Sequence, residues 1–140
     1  MTMQETEIDI LKDLEELGDT ISQYSFLIAC AGECRPFEDS LRIEGNLVKE
    51  CQMKTWLSAY AENGIVHFAA DSESLIVKGA LALLQEIYDD RTLEEVKEYR
   101  CGLLDNQLFT RHFHRDQLTG VMAIIGQLER LYQNEYANGR

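Results

Sequence analysis

Residues 55–71 read TWLSAYAENGIVHFAAD, and this stretch carries the clearest structural signal in the chain. It contains two runs of alternating, strand-forming residues, Thr55 to Glu62 and Ile65 to Asp71. Between the runs lies Asn63-Gly64, a dipeptide that suits the two central positions of a type I′ turn, where φ is positive. The stretch therefore predicts a β-hairpin with a two-residue turn.

Such a turn also fixes which residues of the two strands face each other. The predicted pairs on one face are Leu57 with Ala70, Ala59 with Phe68 and Ala61 with Val66. These apolar pairs predict the face that helices cover. The pairs predicted on the opposite, more polar and more exposed face are Tyr60 with His67 and Trp56 with Asp71.

Helices are predicted on the C-terminal side of the hairpin. Asp71-Ser72 provides capping side chains for a helix that extends to about Tyr88. Thr92 can cap a short helix that ends near residue 99, and a final amphipathic helix begins near Asp116.

Two further helices are predicted on the N-terminal side. Apolar residues recur at helical spacing from Ile8 to Leu17, and Gly18 ends that helix. Asp19 or Thr20 can cap the second helix, whose apolar positions include Ile21 and which closes before Pro36; the polar residues 38–45 predict a loop. Helices, a small antiparallel sheet and more helices, in this order, indicate an α+β fold in a single domain over residues 1–140.

Composition excludes several classes of function. The 140 residues carry a formal net charge of −12, with no dense cluster of basic residues, so binding to nucleic acid is not expected. The acidic N-terminus lacks the features of a signal peptide, and the most apolar stretch, Leu75 to Leu84, is too short to span a bilayer. We therefore expect a cytoplasmic protein without a membrane partner, in which the four cysteines are thiols.

Cys51 differs from the other three cysteines in its sequence context. Cys30 lies in an apolar run and is predicted to be buried, while Cys34 follows a helix end and Cys101 lies in a connector. Cys51 stands between charged and polar neighbours, just before the first strand. We therefore consider Cys51 the candidate reactive thiol.

The hairpin register places Cys51 near a helix start. Because Trp56 faces Asp71, the chain before Trp56 and the helix after Asp71 leave the sheet at the same end. The partial positive charge of a helix N-terminus favours a thiolate, which is the attacking species in sulfur transfer. The carboxylates of Glu50 and Asp71 act in the opposite direction, because nearby negative charge raises a thiol pKa.

Two blocks of sequence resemble the SufE family of sulfur acceptors. Residues 46–56, NLVKECQMKTW, resemble the family's cysteine-loop motif, with its Asn, its Cys-Gln and a Trp five residues after the Cys. Residues 71–74, DSES, and 76–79, IVKG, resemble its second block. Weaker similarities occur at Tyr24, at residues 32–36, at residues 109–112 and at Gly120, so the likeness spans nearly the whole chain.

Three positions depart from the family pattern. Glu50 stands where the family usually has Gly, and Met53 stands two residues after the cysteine, where Ser is usual. The family's Arg near the last helix falls on Gln117, although Arg115 is close by. The sulfur-accepting atom itself is unaffected.

The resemblance implies a SufE/IscU-like fold, with a three-stranded antiparallel sheet and helices packed on one face. It implies that Cys51 takes sulfur from the persulfide of a SufS-type, pyridoxal-phosphate-dependent cysteine desulfurase, stimulates that enzyme, and delivers the sulfur to a SufB-type iron–sulfur scaffold. The chain itself would carry a covalent persulfide and no other cofactor or metal, acting as an accessory protein rather than a stand-alone enzyme. The candidates for positioning the cysteine are Glu50, Gln52, Trp56, Asp71 and Lys78.

Two alternatives remain open at this point. An IscU-like metal or cluster scaffold would need ligands from several side chains, and the possible ones are Cys30, Cys34, Cys51, Cys101, His112 and His114. Their spacings are not those of a paired metal-binding motif. The second alternative is a non-catalytic interaction domain that acts through its acidic surface.

Overall fold

A computed structural model describes residues 1–133 of the chain. Its strands are β1 (Thr55–Glu62) and β2 (Ile65–Ser72). Its α-helices are α1 (Met3–Leu17), α2 (Thr20–Cys30), α3 (Leu75–Tyr88), α4 (Leu93–Glu98), α5 (Gln107–Thr110) and α6 (Arg115–Glu129). Short 3₁₀ turns lie at Ala31–Glu33, Asp39–Leu41, Glu44–Asn46 and Leu103–Asp105. None of the helices in the described residues is both long enough and apolar enough to cross a membrane.

The hairpin has the predicted turn and register. Asn63 and Gly64 adopt φ values of 54° and 77°, as a type I′ turn requires. All of the predicted cross-strand pairs are present, including Trp56 opposite Asp71. Leu57, Val66, Phe68 and Ala70 are buried on the face that α3 covers, and this burial fixes the register energetically.

The sheet of the described residues has two strands, so the expectation of three is wrong. The segment before β1 pairs with it only at an isolated bridge between Leu47 and Trp56, next to a hydrogen bond of 2.8 Å from Val48 N to Thr55 O. The Cys51 amide then donates to Val48 O at 3.1 Å, which closes a turn. Because this turn carries the chain away from β1, the pairing cannot extend into a third strand.

The junction between β2 and α3 lies later than predicted. The strand continues through Asp71 and Ser72, and Ser74 caps α3 by accepting from Val77 N at 3.4 Å. Asp71 is therefore not a helix cap, and its carboxylate is left to make side-chain contacts. Most residues of α3 are buried, which makes this helix the centre of the core.

A close crossing packs α2 on α3. A Cβ atom added to Gly79 of α3 would lie 2.0 Å from the backbone oxygen of Leu27 in α2. No side chain fits in this space, so glycine sets the separation of the two helices.

The N-terminal helices end close to the predicted positions, but α1 begins at Met3, earlier than its apolar repeat indicates, and the buried faces are partly wrong. Gly18 ends α1, and Asp19 caps α2 by accepting from Ser22 N. Ile8 and Ile21, which the helical spacing places on the apolar faces, are 52% and 80% exposed. In α1 the buried face instead includes Glu7, because its carboxylate accepts hydrogen bonds from Tyr99 OH and from Gly102 N.

The later helices follow the predicted order. Thr92 caps α4, and α6 begins at Arg115, next to the expected Asp116. The four-residue helix α5 was not predicted, because it is too short to show an apolar period.

Candidate functional site

Cys51 lies on a short exposed segment between α6 and the start of the sheet. We call residues 49–54 the Cys51 loop. The other five residues of this loop are exposed, whereas Cys51 is half-buried. At its C-terminal end Lys54 O accepts from Glu73 N at 2.9 Å, which joins the loop to the β2–α3 junction. The loop thus holds one side chain inward and presents the rest to solvent.

The Cys51 thiol packs directly on the backbone of α6. A Cβ atom added to Gly120 would lie 2.2 Å from Cys51 Sγ, far closer than any real contact allows. Gly120 is buried, and its lack of a side chain creates the space that the sulfur occupies. The only sign of this contact in the sequence is weak, since Gly120 is one of the outlying similarities to the SufE pattern.

A cleft of about 220 Å³ opens beside the thiol. The residues that line it are Cys51, Gln52, Met53, Ser74, Val77, His114, Asp116 and Gln117. Ser74 and Val77 belong to the start of α3, so Cys51 lies near this helix start, as the hairpin register predicts. The N-terminal turn of α6 lines the other side of the cleft, and the sequence reasoning missed it because residues 114–117 are distant in the chain.

Burial dominates the ionisation of Cys51. It raises the pKa of the thiol above its ordinary value, and the Glu50 carboxylate raises it further. A hydrogen bond with the Thr55 side chain acts in the opposite direction but does not compensate. At neutral pH the thiol is therefore protonated while the loop holds it inward.

Asp71 connects three parts of the molecule next to this loop. Its carboxylate makes ion pairs with Arg42 at 2.7 Å and with Lys78 of α3 at 3.2 Å, and it accepts from Ser72 N at 2.9 Å. Burial alone would raise its pKa, but the hydrogen bonds from Arg42 and Lys78 hold the pKa below its ordinary value. Asp71 is therefore a carboxylate at neutral pH.

Arg42 brings the predicted positioning residues together. Its guanidinium carbon lies 4.8 Å from the centroid of the Trp56 ring and 5.1 Å from that of Phe37, distances typical of cation–π contacts. Trp56, Asp71 and Lys78 thus belong to one cluster, centred on an arginine that the sequence reasoning left inside a polar loop. Arg42 within that polar stretch and Phe37 just before it were the only available signal.

The remaining positioning candidates, Glu50 and Gln52, belong to the Cys51 loop and line different surface depressions. Gln52 is exposed and lines the cleft with Cys51. Glu50 is exposed and faces a separate surface depression, which Met122 and Arg130 also line. Gln117 lines the cleft and accepts from the backbone N–H of His114 at 2.9 Å, while Arg115 is exposed and does not line it.

The other three cysteines lie in different surroundings. Cys30 is half-buried rather than buried, and the connector residue Cys101 is buried. Burial raises the pKa of each of these two thiols to about 11. Cys34 is half-buried and its Sγ donates to Ala70 O at 3.6 Å.

The histidines considered as ligands are also separated. His112 is buried, with its Nε2 2.9 Å from Gln23 Oε1, whereas His114 is exposed at the start of α6. Over residues 1–133, no three His, Cys, Asp or Glu side chains are grouped so that they could hold a metal ion.

Comparisons with known proteins identify the family of the chain. The family model described as "SufE: Fe-S metabolism associated domain" matches residues 8–132. A protein of Wigglesworthia glossinidia brevipalpis named "Cysteine desulfuration protein SufE" is 27% identical over 119 residues, which is 84% of this chain and 83% of that protein. The solution structure of a hypothetical protein from Thermus thermophilus superposes with a TM-score of 0.68 at 21% identity, covering 94% of this chain and 96% of that one, and shows the fold alone.

Proposed function

The chain belongs to the SufE family, whose domain is associated with Fe–S metabolism, and from this premise we propose that Cys51 accepts sulfur from a cysteine desulfurase. The donor is the persulfide that a SufS-type, pyridoxal-phosphate-dependent enzyme forms on its own cysteine. The observation that carries the proposal is the placement of Cys51, which lines a cleft while the loop around it is exposed.

The transfer is a thiol–persulfide exchange. The Cys51 thiolate attacks the terminal sulfur of the donor persulfide, the sulfur–sulfur bond of the donor breaks, and the desulfurase cysteine leaves as a thiolate. The proton that Cys51 loses is balanced by the proton that the leaving thiolate takes up. No external oxidant or reductant is needed, and the product is a persulfide on Cys51.

The resting geometry suits storage better than attack. Because burial raises the pKa of Cys51, the inward thiol is largely protonated and a poor nucleophile. Movement of the loop away from α6 would remove that burial and lower the pKa. The cleft of about 220 Å³ beside the thiol has room for one additional sulfur atom, with the apolar side chains of Met53 and Val77 on its walls.

The onward partner is proposed to be a SufB-type iron–sulfur scaffold, and removal of sulfur by Cys51 would stimulate the desulfurase. We propose that this occurs in the cytoplasm, where thiols and persulfides stay reduced. The formal net charge of −12 favours association with locally basic partner surfaces.

Mass spectrometry under non-reducing conditions tests the proposal. The protein is incubated with cysteine and its cognate desulfurase, and added mass is mapped to each cysteine. We expect one sulfur atom on Cys51 and loss of both labelling and desulfurase stimulation in Cys51→Ser.

Cys34→Ser is the matched control, since Cys34 is a half-buried thiol outside the cleft. It is expected to behave like the unmodified protein. Sulfur on Cys34 or Cys101, or desulfurase stimulation that survives Cys51→Ser, would overturn the assignment.

A further inference from the structure

We propose that Arg42 is a positioning residue that limits the moving part of the chain to the Cys51 loop, residues 49–54. The inference rests on the proposed function, because it concerns how the sulfur-accepting thiol is presented. It concerns a residue that touches neither the thiol nor the cleft.

The segment before the loop is held against the sheet by several independent contacts. Arg42 pairs with Asp71 at 2.7 Å and with Asp39 at 3.1 Å, and its guanidinium covers Trp56. Further along, the Asn46 side chain donates to Leu41 O at 2.9 Å, and Val48 is buried. Residues 42–48 are thereby fixed to the same end of the hairpin.

The Cys51 loop has contacts of a different kind. Its ends are held by backbone hydrogen bonds, from Val48 N to Thr55 O and from Glu73 N to Lys54 O. Between these ends, only Cys51 is turned inward, against Gly120. The boundary between fixed and movable chain therefore lies at Val48 on one side and at Thr55 on the other.

This boundary sets how far the thiol can travel. Cys51 is three residues from Val48, and an extended chain spans at most about 3.5 Å per residue, which keeps Cys51 within about 10 Å of Val48. If residues 42–48 were released as well, the reach and the conformational entropy of the segment would both increase. Ordering the thiol in a partner's active site would then cost more free energy.

The cluster around Arg42 is suitable for testing, because Asp71 has a second cationic partner besides Arg42. When Arg42 is removed, Lys78 still pairs with the Asp71 carboxylate at 3.2 Å, and the Asp39 side chain is 97% exposed, so no buried charge is left unpaired. The replacement Arg42→Gln removes the charge and the cation–π contact, while Arg42→Lys keeps the charge alone. A loss of loop control can therefore be separated from a loss of the fold.

Hydrogen exchange is the first measurement. In Arg42→Gln, amide exchange of residues 43–48 is expected to accelerate by about tenfold or more, whereas exchange in α3 stays unchanged. Alkylation of Cys51 by iodoacetamide is expected to rise about threefold, because the inward state is less populated. Arg42→Lys is expected to give a smaller change in both rates.

The desulfurase assay is the second measurement. Arg42→Gln is expected to raise the concentration that gives half-maximal stimulation by about threefold or more, while stimulation at saturation changes by less than about twofold. Arg35→Gln is the matched control, since Arg35 forms a comparable ion pair with Asp89 away from the loop. It is expected to leave exchange at 43–48, alkylation and stimulation unchanged.

Two outcomes separate this inference from the proposed function. If Arg42→Gln and Arg42→Lys match the unmodified protein in exchange and alkylation while sulfur still appears on Cys51, the role of Arg42 is overturned and sulfur acceptance stands. If Cys51 of the unmodified protein takes up no sulfur, the proposed function fails, whatever Arg42 does.

Discussion

Two helix contacts in this molecule use the same device for different purposes. At the α2–α3 crossing, Gly79 lies so close to Leu27 that a Cβ atom would stand 2.0 Å from a backbone oxygen. At the Cys51 loop, Gly120 of α6 lies so close to Cys51 that a Cβ atom would stand 2.2 Å from its sulfur. At both positions, the missing side chain of glycine leaves space that another atom occupies.

The difference lies in what must move if a side chain is added. Leu27 O belongs to the backbone of α2, at a position whose side chain is fully buried in the core. Cys51 Sγ is the end of a side chain on an otherwise exposed loop. The first contact supports the fold, whereas the second only places a thiol, and this distinction can be measured.

Gly79→Ala is expected to have the largest effect on stability. The added methyl group would force α2 away from α3 and open voids on both sides, so the free energy of unfolding should fall by about 3 kcal/mol. Urea denaturation followed by circular dichroism measures this change. A loss below about 0.5 kcal/mol, the range of ordinary surface substitutions, would show that α2 is held less firmly than the structure indicates.

The same contrast explains what could be predicted from the sequence. The hairpin is encoded locally, since Asn63-Gly64 selects the turn and the alternation of residues selects the register. The end of α1 and the bounds of α2 and α4 were close because residues such as Gly18, Asp19 and Thr92 act within a few positions.

The parts that were missed depend on contacts between residues far apart in the chain. The third strand was expected from the family resemblance, but the turn at Cys51 ends the pairing of Leu47 with Trp56 after one bridge. Arg42 lies in a polar stretch without a local pattern, and its ion pair is with Asp71, near the end of the second hairpin strand. Gly120 and the start of α6 approach Cys51 only through the complete fold.

Gly120→Ala tests the loop side of the comparison and should affect reactivity rather than folding. The methyl group would overlap with Sγ, so the loop is expected to move outward and leave Cys51 exposed. Alanine is also favoured over glycine inside a helix by about 1 kcal/mol, which offsets part of the lost packing. Alkylation of Cys51 at neutral pH should rise about tenfold, because the thiol loses the burial that raises its pKa.

Denaturation of the same Gly120→Ala protein provides the check on this reading. Its stability should remain within about 1 kcal/mol of the unmodified protein, in contrast to Gly79→Ala. Unfolding as severe as that of Gly79→Ala would mean that the Cys51 loop is part of the rigid core.

Glu50→Gln should have the smallest effect on the reactivity of Cys51. It separates the contribution of burial to the raised pKa of the thiol from that of the neighbouring charge. Burial is the larger cause of the raised pKa of Cys51, and the Glu50 carboxylate adds to it. Removing that charge lowers the pKa toward its ordinary value, so at pH ~8 the thiolate fraction and the alkylation rate should rise about twofold. The gain should vanish well above the pKa, where both proteins are ionised, and should shrink at high salt, since Glu50 is exposed.

Glu62→Gln is the matched control, because Glu62 is also exposed but lies beside the hairpin turn. Equal changes in the two variants would assign the effect to net charge, whereas a Glu50→Gln effect as large as that of Gly120→Ala would make charge, not burial, the main control on this thiol.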